Sequence, residues 1–320
     1  MLLGACAEVT PTGIAPAAPV AALASSAALL HWAPAVNAPA AGDFTAMPDG
    51  RLFAAGETYG LLVAEGGAMR WQRVASFPAD VAPFSVAASP DGSIYVGTDR
   101  GVLRSTDGGA TWMSGGLTEG YVRQVATEAN GAVYAGVQGI GGGVLRSDDG
   151  GIRWTMVFGP FEGRGGIIDW MSVRKGDVLL GLYSQTPAWS RDRGESWEYI
   201  GALWELPEWN AFANHMIETS NGSLLATWAG GIARSSAEQQ GLRFEHVYAA
   251  GQAQKLAQDA ATGALYAMKD DGSVLRSTDD GLTWTPYAAS FRPRGVEAFA
   301  VAPTGGLVLG TWEGIWRTVP

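Results

Sequence analysis

The octet Ser105-Thr106-Asp107-Gly108-Gly109-Ala110-Thr111-Trp112 decides how this chain is read, because it comes back three more times. It returns as Ser147-Asp148-Asp149-Gly150-Gly151-Ile152-Arg153-Trp154, as Ser190-Arg191-Asp192-Arg193-Gly194-Glu195-Ser196-Trp197 and as Ser277-Thr278-Asp279-Asp280-Gly281-Leu282-Thr283-Trp284. Each copy follows a short apolar run such as Val102-Leu103-Arg104, so each octet reads as a hairpin connection between strands. The Asp and Ser side chains can accept backbone N–H bonds at the turn, and the Gly can take a positive φ without steric cost. The Trp opens the outgoing strand and is expected to bury its ring between neighbouring sheets.

A second marker sets the period. Polar turns fall at Pro48-Asp49-Gly50, Pro90-Asp91-Gly92, Ala129-Asn130-Gly131, Lys175-Gly176-Asp177, Ser220-Asn221-Gly222, Ala261-Thr262-Gly263 and Pro303-Thr304-Gly305. Each precedes an apolar strand, and seven copies at 39–46-residue spacing match four-stranded propeller blades. Blade one has a worn octet at 64–71 and blade five another ending in Phe244. Blade seven reaches Pro320 after its third strand, Gly314–Thr318. The missing fourth strand is supplied by Leu30-His31-Trp32-Ala33-Pro34-Ala35-Val36, since pairing head to tail removes an open sheet edge. The expectation is an all-β, seven-bladed β-propeller of four-stranded antiparallel blades. It spans 28–320, with 1–27 as an Ala/Pro-rich, disordered tether.

Composition narrows the function classes. The 320 residues carry a formal charge of −10 and only three lysines, which argues against a nucleic-acid backbone or an anionic membrane surface as partner. The lone cysteine, Cys6, excludes a disulfide framework. The three histidines, His31, His215 and His246, have no second ligand at metal spacing, so neither a metal site nor a cofactor is expected. Leu3-Gly4-Ala5-Cys6 resembles a bacterial lipobox, which implies export and a lipid on Cys6; a cytoplasmic chain is the other reading.

The octet resembles the Asp-box of the bacterial neuraminidase repeat propellers, over about residues 28 to 320. That family includes sialidases, xyloglucan-type endoglucanases, sortilin-like receptors and photosystem II assembly factors. The resemblance implies a structural role for Ser105, Asp107, Gly109 and Trp112, for Ser147, Asp149, Gly151 and Trp154, for Ser190, Asp192, Gly194 and Trp197, and for Ser277, Asp279, Gly281 and Trp284. It also implies a binding face opposite the octets, at the mouth of the central channel. The strand arginines Arg104, Arg146, Arg234, Arg276 and Arg317 share one repeat position and read as structural hydrogen-bonding groups.

Candidate ligand-binding residues on the opposite face are Trp204, Trp209, Tyr183, Trp189, Trp228, Trp312, Arg123, Arg164 and Arg294. Aromatic faces beside carboxylates suit sugar rings, and Trp, Tyr and Arg also dominate protein interfaces. The expected function is a non-catalytic glycan- or protein-binding module; the alternative is a sialidase-like glycoside hydrolase. For the latter, the family's Arg-Ile-Pro signature is absent; for a xyloglucan-type endoglucanase, the carboxylates Asp80, Asp169, Glu205, Glu208 and Glu297 show no pairing in sequence.

Overall fold

The computed structural model describes residues 29–65, 70–139, 141–161, 167–182, 186–201, 203, 206, 213–235, 243–292 and 294–320. These form seven four-stranded antiparallel sheets arranged as a β-propeller. Residues 1–27 lie outside the described part, so the expected tether does too.

Each blade starts with an inner strand. In chain order these are β2 (Asp43–Ala46), β6 (Pro83–Ala88), β10 (Tyr121–Thr127), β14 (Ile168–Arg174), β18 (His215–Glu218), β22 (Ala253–Gln258) and β26 (Val296–Val301). Every inner strand touches the next, and β2 touches β26, so they line one closed central channel. Second strands are mostly buried, and Leu224–Trp228 and Leu307–Thr311 are buried throughout. Sheets covered on both faces have that signature. The polar turns between first and second strands close on a glycine: Gly92 N–H, at φ 85°, donates to Ser89 O at 2.9 Å.

The ring closes as the sequence required. β1 (His31–Pro34) pairs antiparallel with β28 (Gly314–Val319), Trp32 facing Thr318 and Pro34 facing Trp316. The same segment also bridges both flanking blades, through Leu30 to Ala288 and Val36 to Arg70.

The octets form one repeated turn. Ser105 Oγ accepts from Gly109 N–H at 2.8 Å and donates to Asp107 at 2.7 Å, and Asp107 accepts from Thr111 N–H at 2.9 Å. Bonds from Thr111 hold the Asp107 carboxyl down at about 2. The serine-to-glycine bond recurs in the other three copies at 2.7–2.9 Å. The tryptophans reach back to the preceding blade: Trp154 Nε1 donates to Gly115 O at 2.7 Å and Trp197 Nε1 to Val157 O at 2.6 Å. Their burial is less complete than expected. Trp284 is buried, whereas Trp112, Trp154 and Trp197 are half-buried; Trp112 Nε1 donates to the Ser76 hydroxyl at 3.3 Å rather than to a carbonyl.

Strand arginines tie one blade to the next octet. Arg146 Nη1 donates to Arg193 O at 2.7 Å, and Arg234 donates to both Asp280 O and Asp280 Oδ2 at 2.7 Å.

Candidate functional site: the channel mouth

In an antiparallel blade the connection between strands two and three leaves from the end opposite the one between three and four. The octets occupy the latter, so the Tyr59 and Trp312 turns sit on the other face, around the channel mouth. A cavity of about 530 Å³ opens there, lined by Glu57, Tyr59, Phe84, Arg123, Gln124, Gln138, Asp169, Lys255, Glu297 and Trp312, among others. A second cavity of about 130 Å³ lies deeper, against Asp43, Trp170, His215 and Lys255.

Why these side chains face the channel follows from the strands. Five inner strands carry a register shift near their start, and the extra residues are Phe84, Arg123, Asp169, Gln254 and Glu297. A β-bulge releases one residue from the pairing and re-aims its side chain. Four of those five line the larger cavity. In the other two blades, Asp43 and His215 bond across to the next inner strand. Asp43 Oδ2 accepts from Val86 N–H at 2.9 Å, and His215 Nδ1 accepts from Leu256 N–H at 3.2 Å. Both bonds join equivalent points of the repeat.

Burial dominates the channel's electrostatics. Asp43 is half-buried and lines the smaller cavity, with protein packed closely around its carboxyl. That burial pushes its carboxyl up to about 7, against the backbone bonds from Val86 and Phe44 and the nearby Lys255. Burial likewise brings His215 down to about 3, helped by Lys255, in keeping with an Nδ1 that accepts a bond and a proton held on Nε2. The Lys255 amine is lowered by burial, with Glu297, Asp43 and Asp169 opposing. Asp169 is raised, again by burial.

Asp43 and His215 therefore move stability with pH in opposite directions. Folded Asp43 holds its proton more tightly than the unfolded chain, so its contribution is complete below about pH 4. It fades as pH rises to about 7. Folded His215 stays neutral, so its contribution is complete above about pH 6.5. It fades as pH falls toward about 3. Relative to the parent, Asp43→Asn is expected to make stability rise more steeply with pH from about 4 to 6.5, and His215→Gln to make it rise less. Urea titrations across that window test this; profiles parallel to the parent's would refute both assignments.

At the rim, Arg123 stacks its guanidinium over Phe84, 4.6 Å from the ring centre, and faces Glu57 at 3.6 Å. Phe84 in turn stacks with Tyr121, ring centres 6.1 Å apart. Trp312 is 71% exposed, and its Nε1 donates to Glu297 Oε1 at 2.7 Å. The exposed Trp312, Tyr59 and Tyr121, with the half-buried Phe84, thus follow the rim from blade seven through blades one to three.

The sequence-derived candidates divide into three groups. Trp312 and Arg123 line the larger cavity. Arg294 is exposed beside the Trp312 turn and faces Glu313 at 3.8 Å, outside the cavity lining. Trp189 and Trp228 need correction: both rings sit in the core packed between blades four and five, 7% and 0% exposed. They lie in or at the end of all-buried strand segments, so their side chains follow the core pleat rather than the loop. Trp204, Trp209, Tyr183 and Arg164 lie outside the described residues, as do Glu205 and Glu208. Asp80 forms an exposed pair with Arg100 at 2.7 Å, away from the cavity. Among the described residues no group of three or more His, Cys, Asp and Glu is placed to hold a metal ion.

Lys255, Asp43, Glu57, Phe84 and Gln124 escaped the sequence reading. Their one signal was position: all but Glu57 fall at the start of an inner strand, where superposed repeats mark the channel.

No protein-family model matches the chain, and no curated protein matches it. Solved structures do. YCF48 bound to D1 peptide shares 18% identity at a TM-score of 0.67, over 90% of this chain and 97% of that one. Virginiamycin B lyase from Staphylococcus aureus shares 12% at 0.65, over 91% and 99%. The GH74 xyloglucanase from Xanthomonas campestris shares 19% at 0.62, over 90% of this chain and 53% of the enzyme, so this chain spans about half its length. At such identities the likeness is one of fold, shared by a peptide-bound protein and by enzymes alike.

Proposed function

We propose that this chain is a non-catalytic binding module that takes an extended peptide or glycan at the channel mouth. The observation carrying the proposal is the cavity of about 530 Å³, rimmed by exposed aromatics and floored by charged groups. Large concave sites with a few convergent polar groups are the usual place for a ligand. A bound peptide on the similar YCF48 fold supports a macromolecular ligand. The stretch bearing Trp204 and Trp209 belongs to the proposed surface, as do Tyr183 and Arg164. We place the protein outside the cytoplasm, as one propeller over 28–320 carried on an N-terminal tether and a lipid on Cys6. The extracellular and surface proteins among similar folds support that location.

The test is binding of the full chain to peptide and glycan arrays. Tyr59→Ala and Arg123→Ala are expected to lower affinity about tenfold each. Their side chains are exposed, so the melting temperature should stay at the parent value. Unchanged binding by both variants would remove the mouth from consideration.

The glycoside hydrolase reading keeps one observation in its favour: Asp43 and Asp169, both raised, flank a buried lysine in the channel. A screen of fluorogenic glycosides with Asp169→Asn and Glu297→Gln addresses it. Turnover by the parent that falls at least a hundredfold in either variant would replace the binding-only reading.

A further inference from the structure

We infer that the mouth holds a subsite for the side chain of an arginine presented by a partner polypeptide, built from the indole of Trp312 and the carboxylate of Glu297. The inference rests on the mouth being the binding surface and names the chemistry that surface selects.

The rim carries two aromatic–carboxylate pairs of the same kind. The first is occupied by the protein itself: the Arg123 guanidinium lies over Phe84 at 4.6 Å and faces Glu57 at 3.6 Å. A planar cation over a ring face, with an anion at its edge, is what a guanidinium favours. The second pair is Trp312 and Glu297, joined by the Nε1–H bond of 2.7 Å. That bond fixes the indole plane and sets the carboxylate at its edge. One ring face is closed by the backbone of Gly295, since a side chain on Gly295 would collide with the indole. The other face is open, in keeping with the 71% exposure of Trp312.

Among the described residues no cation stands over that ring. The ring-stacked arginines are Arg51, Arg104, Arg123, Arg191 and Arg276, each on another aromatic. Arg294, next to the turn, faces Glu313. Lys255 feels the field of Glu297 but forms no ion pair with it within 4.0 Å. The charge balance points the same way. With Arg123 taken up by Glu57, the cavity lining leaves Asp169 and Glu297 against Lys255, on a chain of net charge −10. Guanidinium fits better than ammonium, because it is planar, weakly hydrated and able to stack while donating along its edge.

N-acetyl-L-arginine amide, titrated into the full chain and followed by ¹⁵N NMR at the indole N–H signals, tests the subsite. The Trp312 signal is identified by its absence in Trp312→Phe. The expected result is a saturable shift of that one indole signal, and none with the citrulline analogue, which keeps shape and loses charge. Glu297→Gln is expected to weaken the arginine titration about tenfold while leaving the melting temperature unchanged. An equal response to citrulline, an unchanged affinity in Glu297→Gln, or no saturable shift overturns the subsite. Array ligands that bind without arginine and are lost in Tyr59→Ala would overturn it too, while leaving the mouth itself as the binding surface.

Discussion

Deleting residues 28–36 is expected to abolish the cooperative unfolding transition. The segment supplies the outer strand of blade seven. Its loss bares the edge of Gly314–Val319 along the register from Trp316 to Val319. It also removes the bonds from Leu30 N–H to Tyr287 O at 3.1 Å, from Trp71 N–H to Val36 O at 3.0 Å and from Trp32 Nε1 to Gly272 O at 3.0 Å. Three blades therefore lose a neighbour at once. Trp32 packs in the cluster that contains Phe291 and Trp316, with its ring 6.4 Å from that of Phe291. At about 1 kcal/mol per net hydrogen bond and about 3 kcal/mol for the tryptophan, the sum approaches the ~5–15 kcal/mol that holds a domain folded. Calorimetry checks the outcome: a cooperative melt at the parent temperature would show that the ring needs no strand from its head. A synthetic peptide of residues 28–36 added in trans should restore the transition, because an open sheet edge accepts an added strand.

The second large effect is expected at Gly194. The octet turn sets two successive residues in the left-handed region: Arg193 at φ 63° and Gly194 at φ 92°. Asp279's turn does the same with Asp280 at φ 60° and Gly281 at φ 81°. A Cβ on Gly194 would come within 2.7 Å of the Val157 Cβ on the preceding blade, closer than the backbone can yield. Gly194→Ala is then charged twice, about 1–2 kcal/mol for the left-handed backbone and about 1–3 kcal/mol for overpacking. Gly109→Ala separates the two. Its φ of 92° is the same, yet its Cβ would meet Phe53 at an ordinary 3.5 Å. Urea denaturation should find Gly109→Ala destabilised by the backbone cost alone and Gly194→Ala by about twice as much. Equal losses would mean that the blades separate freely at Val157.

How much of this was legible in sequence depended on whether a feature repeats. The octets and the polar turns are local: each carries its own serine, aspartate and glycine, and each makes its own bonds within four residues. Their spacing alone fixed the blade count and the head-to-tail strand. The half-exposed octet tryptophans were overestimated, because how far a ring enters the core depends on the preceding blade.

The site was legible only where a loop residue was itself unusual. Trp312, in a loop between strands two and three, and Arg123, assigned to a loop between blades, were both picked out on the face opposite the octets. Trp189 and Trp228 looked the same on paper, yet they lie on buried strand positions, a one-residue difference in pleat that flips a side chain between core and solvent.

The sequence by itself determined the architecture of this protein: repeated short-range turns, buried second strands and a missing last strand leave a closed seven-bladed ring as the one consistent solution. The tertiary structure alone decided what meets in the channel. Asp43, Asp169, His215, Lys255 and Glu297 come from five different blades, and Lys255 stands 212 positions from Asp43 in the chain. No local rule links residues so far apart. Only the closure of the ring places them around one axis, where burial, more than any single partner, shifts the protonation of Asp43, Asp169, His215 and Lys255.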